Sequence, residues 1–186
     1  MPNKSEIRKQ IIEKRNTLSG EFIAENSHII TEKLLGLKEY KNAETIFIYM
    51  NFGNEVATKD IIIDALANGK KVAIPKIADD RIEFYYITDI SNVAPGIWGI
   101  PEPNNQNLAM PNFDSVMIMP GVAFDKDRHR IGYGKGYYDS YLSEHEIKQK
   151  IALAFDFQVL DNIPFEDYDI KPDLIITEKR RIGTLI

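Results

Sequence analysis

Ten consecutive residues, "RIGYGKGYYD" from Arg130 to Asp139, gather three glycines, two cations, three tyrosines and a carboxylate. Glycines let a backbone approach a ligand closely and adopt conformations that other residues avoid. Their N–H groups at the start of a helix favour phosphate, and Arg130 and Lys135 add full positive charge, Arg130 through a possible bidentate fork. Asp139, four residues after Lys135, could meet a magnesium ion that the phosphates also bind. The same spacing allows a simple tight turn with an i,i+4 Lys135–Asp139 pair. Neither common nucleotide loop is present. A Walker loop needs Gly-Lys-Ser/Thr with a glycine five residues earlier, whereas Gly134-Lys135 is followed by Gly136 and preceded at that offset by His129. The dinucleotide fingerprint would need a third glycine where Tyr137 stands.

The surrounding charge supports a small anionic ligand. Residues 126 to 135 carry Lys126, Arg128, Arg130 and Lys135 against Asp127, within a chain whose formal net charge is −5. An acidic chain argues against general nucleic-acid binding, which calls for a basic surface, although the cationic stretch alone reads equally as a solvated surface. The absence of cysteine removes disulfides, thiolate nucleophiles and cysteine-ligated zinc, and His28, His129 and His145 have no paired metal-ligand spacing. No window approaches the roughly 18 apolar residues of a membrane span, and "MPNKSEIRKQ" lacks the apolar region of a secretory signal. The expectation is a cytoplasmic, monomeric protein that binds neither membrane nor nucleic acid, with residues 1–186 forming one domain.

Elements that must position this run are legible on both sides of it. Ile7, Ile11, Ile12 and Leu18 follow a helical period that Ser19-Gly20 breaks, and Phe22, Ile23, Ile30, Leu34 and Leu35 continue as a second helix ending at Gly36. "TIFIYM", a helix capped by Thr58 and ended by Gly69, and "KVAIPKI" read as one β-α-β unit, with "RIEFYYI" as an added hairpin strand. "SVMIMP" precedes the glycine run, a helix around 137–147 follows it, and "IALAFD" and "DLIIT" complete the strands. Strands alternating with helices predict an α/β fold, an open and mostly parallel sheet with helices on both faces. The stretch from Ser91 to Phe113, with four prolines and the single tryptophan, Trp98, is expected to be a packed loop bordering a pocket.

"PGVAFDKDRHRIGYGKGYYD" closely resembles the signature of the 5-formyltetrahydrofolate cyclo-ligase (5,10-methenyltetrahydrofolate synthetase) family. "KSEIR", "NFGNEVAT" and "WGIPEP" resemble further family segments in the right order, so the similarity spans nearly the whole chain. His129 stands where the family often has glycine, and Ser140 where a basic residue often follows Tyr-Tyr-Asp. The resemblance implies a fold related to the sugar-phosphate isomerase and CoA-transferase group. It also implies ATP-dependent cyclisation of 5-formyltetrahydrofolate to 5,10-methenyltetrahydrofolate, with ATP as co-substrate and Mg2+ as cofactor. No protein nucleophile is required, in keeping with a chain that lacks cysteine and any evident Ser-His-Asp set.

By the same resemblance Lys4 and Arg8 reach the nucleotide from the first helix, and Arg130, Gly132, Tyr133, Gly134, Lys135, Gly136, Tyr137 and Tyr138 cradle its phosphates. Arg130 and Lys135 are expected to stabilise the transferred phosphoryl group, with Tyr137 between nucleotide and folate. Met50, Glu55, Trp98 and Tyr137 are expected to bind the folate, and Asp139 and Asp169 the metal, with Asp173 as competitor or strand cap. Two rivals share the phosphate loop: an isomerase or transferase of phosphorylated metabolites, and a non-catalytic folate or nucleotide sensor. Magnesium-dependent ATP turnover separates the enzyme from both.

Overall fold

The computed structural model describes residues 2–185, the side chain of Trp98 excepted. Helix α1 (Lys4–Asn16) begins at a capping box: the Asn3 side chain accepts the Ser5 and Glu6 N–H groups, and the Glu6 carboxylate accepts the Asn3 N–H at 2.8 Å. Ser19-Gly20 both separates the two helices and starts the second, because the Ser19 hydroxyl caps α2 (Gly20–Leu35) through the Phe22 N–H. A third helix, α3 (Lys38–Asn42), is too short to leave a periodic signal.

The expected β-α-β unit is present as β1 (Thr45–Ile48), α4 (Lys59–Ala67) and β2 (Lys71–Ala78), with β1 and β2 parallel. Thr58 precedes α4, but its hydroxyl donates to the Tyr49 carbonyl at 2.9 Å instead of capping the helix. Strand β3 (Arg81–Ile87) folds back antiparallel on β2 through Asp79 and Asp80, both at positive φ as a tight two-residue hairpin requires. The Ser91–Phe113 stretch contains a small antiparallel hairpin, β4 (Val93–Pro95) and β5 (Pro101–Pro103), joined by a 3-10 turn at Ile97–Gly99.

After β6 (Ser115–Met119), β7 (Ala123–Asp125) and β8 (Arg130–Ile131) form an antiparallel pair. The glycine run leaves β8 and enters α5 (Tyr137–Glu144). The chain continues through β9 (Gln149–Leu153), β10 (Val159–Leu160), β11 (Leu174–Ile176) and β12 (Arg181–Gly183). The main sheet has the order β12-β11-β9-β6-β1-β2-β3, its inner pairs parallel and its two edge pairs antiparallel. Strand β12, absent from the sequence-based expectation, closes one edge. A second sheet, β10-β7-β8, carries the start of the glycine run.

Both faces of the large sheet are buried. Ile46, Ile48, Val116, Ile118, Ile151 and Leu153 point to one face, beneath α2, α3 and α4, while Phe47, Met117, Met119 and Ala152 point to the other, beneath Tyr141 of α5. Period-2 alternation explains this division, and each fully buried aliphatic side chain contributes about 1.5–3 kcal/mol. Helix α1 instead packs Ile7 and Ile11 onto Val122 and onto Ala123 and Ile131 of the small sheet, which sets Arg8 beside the glycine run. No described helix is long and apolar enough to cross a membrane.

Candidate active site

Arg130 is buried in β8, and the chain then bends through glycines that the geometry requires. Gly134 has φ +101° and Gly136 has φ +68°, both in the region that side-chain-bearing residues avoid. Gly136 is the N-cap of α5 and supplies no side-chain cap, so the first N–H groups of that helix can address an anion. Arg8 lies along the run: its Nε donates to the Gly132 carbonyl at 2.7 Å, and a Cβ at Gly134 would stand 3.4 Å from its Cζ.

These residues line a cationic cleft of about 450 Å3 that includes Lys4, Arg8, Arg130, Asp139, Tyr168 and Asp169. The Arg130 guanidinium donates to Asp139 Oδ1 at 2.8 Å, and that oxygen also accepts the Ile170 N–H at 3.0 Å. Lys4 reaches Asp169 Oδ2 at 2.5 Å, which also accepts the Glu166 N–H. Asp139 therefore pairs with Arg130, and the alternative Lys135–Asp139 pair does not form among the described residues. Each aspartate keeps its second oxygen without a hydrogen-bond donor among the described residues. Two such oxygens suit Mg2+, which commonly takes one or two carboxylates and completes its shell with phosphate oxygens and water. Asp173 does not line the cleft. It accepts the Lys150 N–H at 2.7 Å and lies 3.1 Å from the Lys150 ammonium, anchoring the approach to β11 against β9.

A second pocket of about 320 Å3 lies on the other side of the run, walled by apolar groups including Met50, Phe52, Pro75, Ile77, Ile82 and Ile100. Tyr133, Lys135, Tyr137 and Tyr138 line this pocket and not the cationic cleft. Tyr137, expected between the two ligands, faces the apolar pocket and a neighbouring groove. The wall common to cleft and pocket is made by Arg130, Gly132, Gly136 and Asp139. Trp98 cannot be assigned to either cavity, because its side chain lies outside the described residues; its backbone belongs to the turn preceding Ile100, which lines the apolar pocket.

Glu55 is buried in this pocket. Its Oε2 accepts the Phe52 N–H at 2.6 Å, and its Oε1 accepts the Tyr133 hydroxyl, which in turn accepts from Arg15 Nη2 at 2.7 Å. Burial pushes the Glu55 carboxyl above its ordinary range, against the opposing pull of Tyr133, the Phe52 N–H and Arg15. Burial also raises the Tyr133 and Tyr138 phenols, so both remain proton donors.

Sequence reasoning missed Arg15 and Glu102. Arg15 follows Arg8 by seven residues, two turns along the same helix face, and is only 4% exposed. Glu102 lies in the "WGIPEP" stretch, and its signal was a carboxylate within an otherwise proline-rich and apolar run.

Comparison with known proteins identifies the family. Residues 1–178 match the model of the 5-formyltetrahydrofolate cyclo-ligase family. A mouse 5-formyltetrahydrofolate cyclo-ligase is 30% identical, the match covering 92% of each chain. The solution structure of a 5,10-methenyltetrahydrofolate synthetase from Aquifex aeolicus superposes with a TM-score of 0.87 at 32% identity, covering 97% of this chain and 92% of that one. A Mycoplasma pneumoniae synthetase superposes with a TM-score of 0.78 at 29% identity, covering 95% and 99%. With a family match over nearly its whole length and a cationic cleft that meets an apolar, carboxylate-bearing pocket, the chain belongs to the 5-formyltetrahydrofolate cyclo-ligase family and is an enzyme of the ligase class.

Proposed function

We propose that this protein closes 5-formyltetrahydrofolate to 5,10-methenyltetrahydrofolate, converting ATP to ADP and phosphate. The carrying observation is the shared wall: Arg130, Gly132, Gly136 and Asp139 border both the cationic cleft and the apolar pocket. A phosphoryl group held in the cleft would therefore meet a formyl oxygen held in the pocket.

The N5-formyl group is amide-like, and its oxygen is a poor leaving group. Attack of that oxygen on the γ-phosphorus releases ADP and leaves an iminium phosphate. The substrate's N10 then attacks the formyl carbon, N10 gives up its proton, and departing phosphate completes the five-membered ring. Catalysis under this scheme is positioning and charge stabilisation. Lys4, Arg8 and the α5 N–H groups hold the nucleotide phosphates, and Arg130 sits where charge develops during transfer. Lys135, on the folate side, is available to the transferred oxygen. Asp139 and Asp169 would hold Mg2+, which when bound neutralises charge on the phosphate oxygens. Glu55 accepts N–H groups of the pterin, while Met50 and the tyrosines cover its faces.

The test is near-ultraviolet absorbance of the protein mixed with 5-formyltetrahydrofolate and magnesium. An ATP-dependent rise in methenyltetrahydrofolate absorbance is expected. No rise from folded protein that demonstrably binds nucleotide would refute the proposed reaction.

A further inference from the structure

Glu102 has no place in the scheme above, yet it is a carboxylate in an apolar pocket. It lies on β5, paired across the small hairpin with Ala94, and only 9% of it is exposed. It lines the same pocket as Glu55. A buried carboxylate is costly unless donors or a cation satisfy it. Among the described residues Glu102 has one hydrogen bond, from the Ile77 N–H to Oε1 at 3.3 Å, and no cation within salt-bridge distance. Oε2 has no protein partner there and is not fully buried.

The fold makes room for this arrangement. Gly96 has φ −103° and ψ −162°, open to any residue, so its backbone does not demand glycine. A Cβ there would instead stand 2.3 Å from the Cγ and Cδ of Glu102 and 2.7 Å from the Ile100 carbonyl. The glycine leaves the carboxylate room to lie folded over the hairpin, at the pocket wall.

Glu55 and Glu102 differ in what they can still bind. Both Glu55 oxygens already accept a protein donor, from Tyr133 and Phe52. Glu102 keeps one oxygen with no donor among the described residues, on a different element of the same pocket. Of the groups on a reduced folate, the carboxylates of its glutamate tail would be repelled by both side chains. The N–H groups of the tetrahydropterin and its bridge are the donors that match.

We infer that Glu102 is a second recognition carboxylate for the substrate, accepting a hydrogen bond from an N–H of the bound reduced pterin at a point separate from Glu55. This rests on the reading of the apolar pocket as the folate site. The glutamate tail would then leave the pocket away from both carboxylates.

The experiment compares wild type, Glu102→Leu, Glu102→Gln and Glu55→Gln. Titration calorimetry with 5-formyltetrahydrofolate alone, the Michaelis constant for ATP, and the melting temperature are read for each. Loss of a hydrogen bond to a charged acceptor predicts that Glu102→Leu weakens folate binding by about tenfold or more. Glu102→Gln, which keeps an acceptor oxygen, should weaken it by about three- to fivefold. The Michaelis constant for ATP should stay within about twofold in both, and the melting temperature of Glu102→Gln should match wild type, which a loosened β5 hairpin would not allow. Folate affinity within about twofold of wild type in Glu102→Leu, with Glu55→Gln impaired, overturns the role of Glu102 alone. Equal weakening of folate and ATP also overturns it. If Glu55→Gln leaves folate binding unchanged as well, the pocket assignment itself falls. Should Glu102→Leu not fold, Glu102→Gln decides, and unchanged affinity there overturns the inference.

Discussion

Glu55, Tyr133 and Arg15 form a chain of hydrogen bonds running from the pocket into the body of the protein, and its electrostatics make a directional prediction. Burial raises the Glu55 carboxyl above its ordinary range, so the folded protein holds that proton more tightly than the unfolded chain does. Its contribution to stability is therefore present at low pH and lost as pH rises through the raised value. Binding runs the other way, since only the ionised form leaves a further lone pair on each oxygen, beyond those taken by Tyr133 and Phe52, for pterin N–H groups. The Michaelis constant for the folate should rise as pH falls through that raised value, and Glu55→Gln should flatten that profile while removing the loss of stability on the alkaline side. A wild-type folate constant that does not vary with pH on the acid side of neutrality would exclude Glu55 from recognition. The sequence pointed to Glu55 through "NFGNEVAT". It could not point to Arg15, because a cation on a polar helix normally faces water; only the packing of α1 on the small sheet buries it.

At the scale of elements, the β8–loop–α5 segment is a backbone device. Its glycines are not interchangeable with glycines elsewhere. Gly134→Ala would force a side chain into φ +101° and toward Arg8, at a cost of about 1–3 kcal/mol. It should raise the Michaelis constant for ATP by at least about tenfold, while folate affinity in the absence of nucleotide moves by less than about threefold. Gly20→Ala is the control: nothing lies within 4 Å of its would-be Cβ, and activity should be unchanged. Equal effects of the two substitutions would contradict a conformational role for the loop. The glycine spacing announced the segment. Its partition did not show, because which side chains face the cleft and which face the pocket depends on the left-handed turns at Gly134 and Gly136.

The whole molecule places two binding volumes against one wall: the apolar pocket reaches β2 and β3 of the large sheet, and the cleft is lined by α1, β8, α5 and residues 168–169. Each ligand at about one hundred times its dissociation constant should stabilise the protein by about 2.7 kcal/mol, a rise in melting temperature of roughly 5–10 °C. Because Arg130 and Asp139 belong to both cavities, a non-hydrolysable ATP analogue and the folate together should raise it by more than the sum of their separate shifts. Strictly additive shifts would mean that the two sites are energetically independent.

The sequence by itself determined the alternation of buried strands and helices, the hairpin at "RIEFYYI", the glycine run and the family, because these are written in local periodicity, turn chemistry and contiguous motif. Tertiary structure alone decided the partners. Asp139 pairs with Arg130 although Lys135 had the helical spacing, Lys4 reaches Asp169 across 165 positions, and Arg15 reaches Tyr133 across 118. It also decided strand β12, the two-residue strand β8 that carries Arg130, and the placing of Glu102 over Gly96. Local propensity specifies an element, whereas burial and pairing arise only when elements distant in the chain pack together and exclude water from the groups between them.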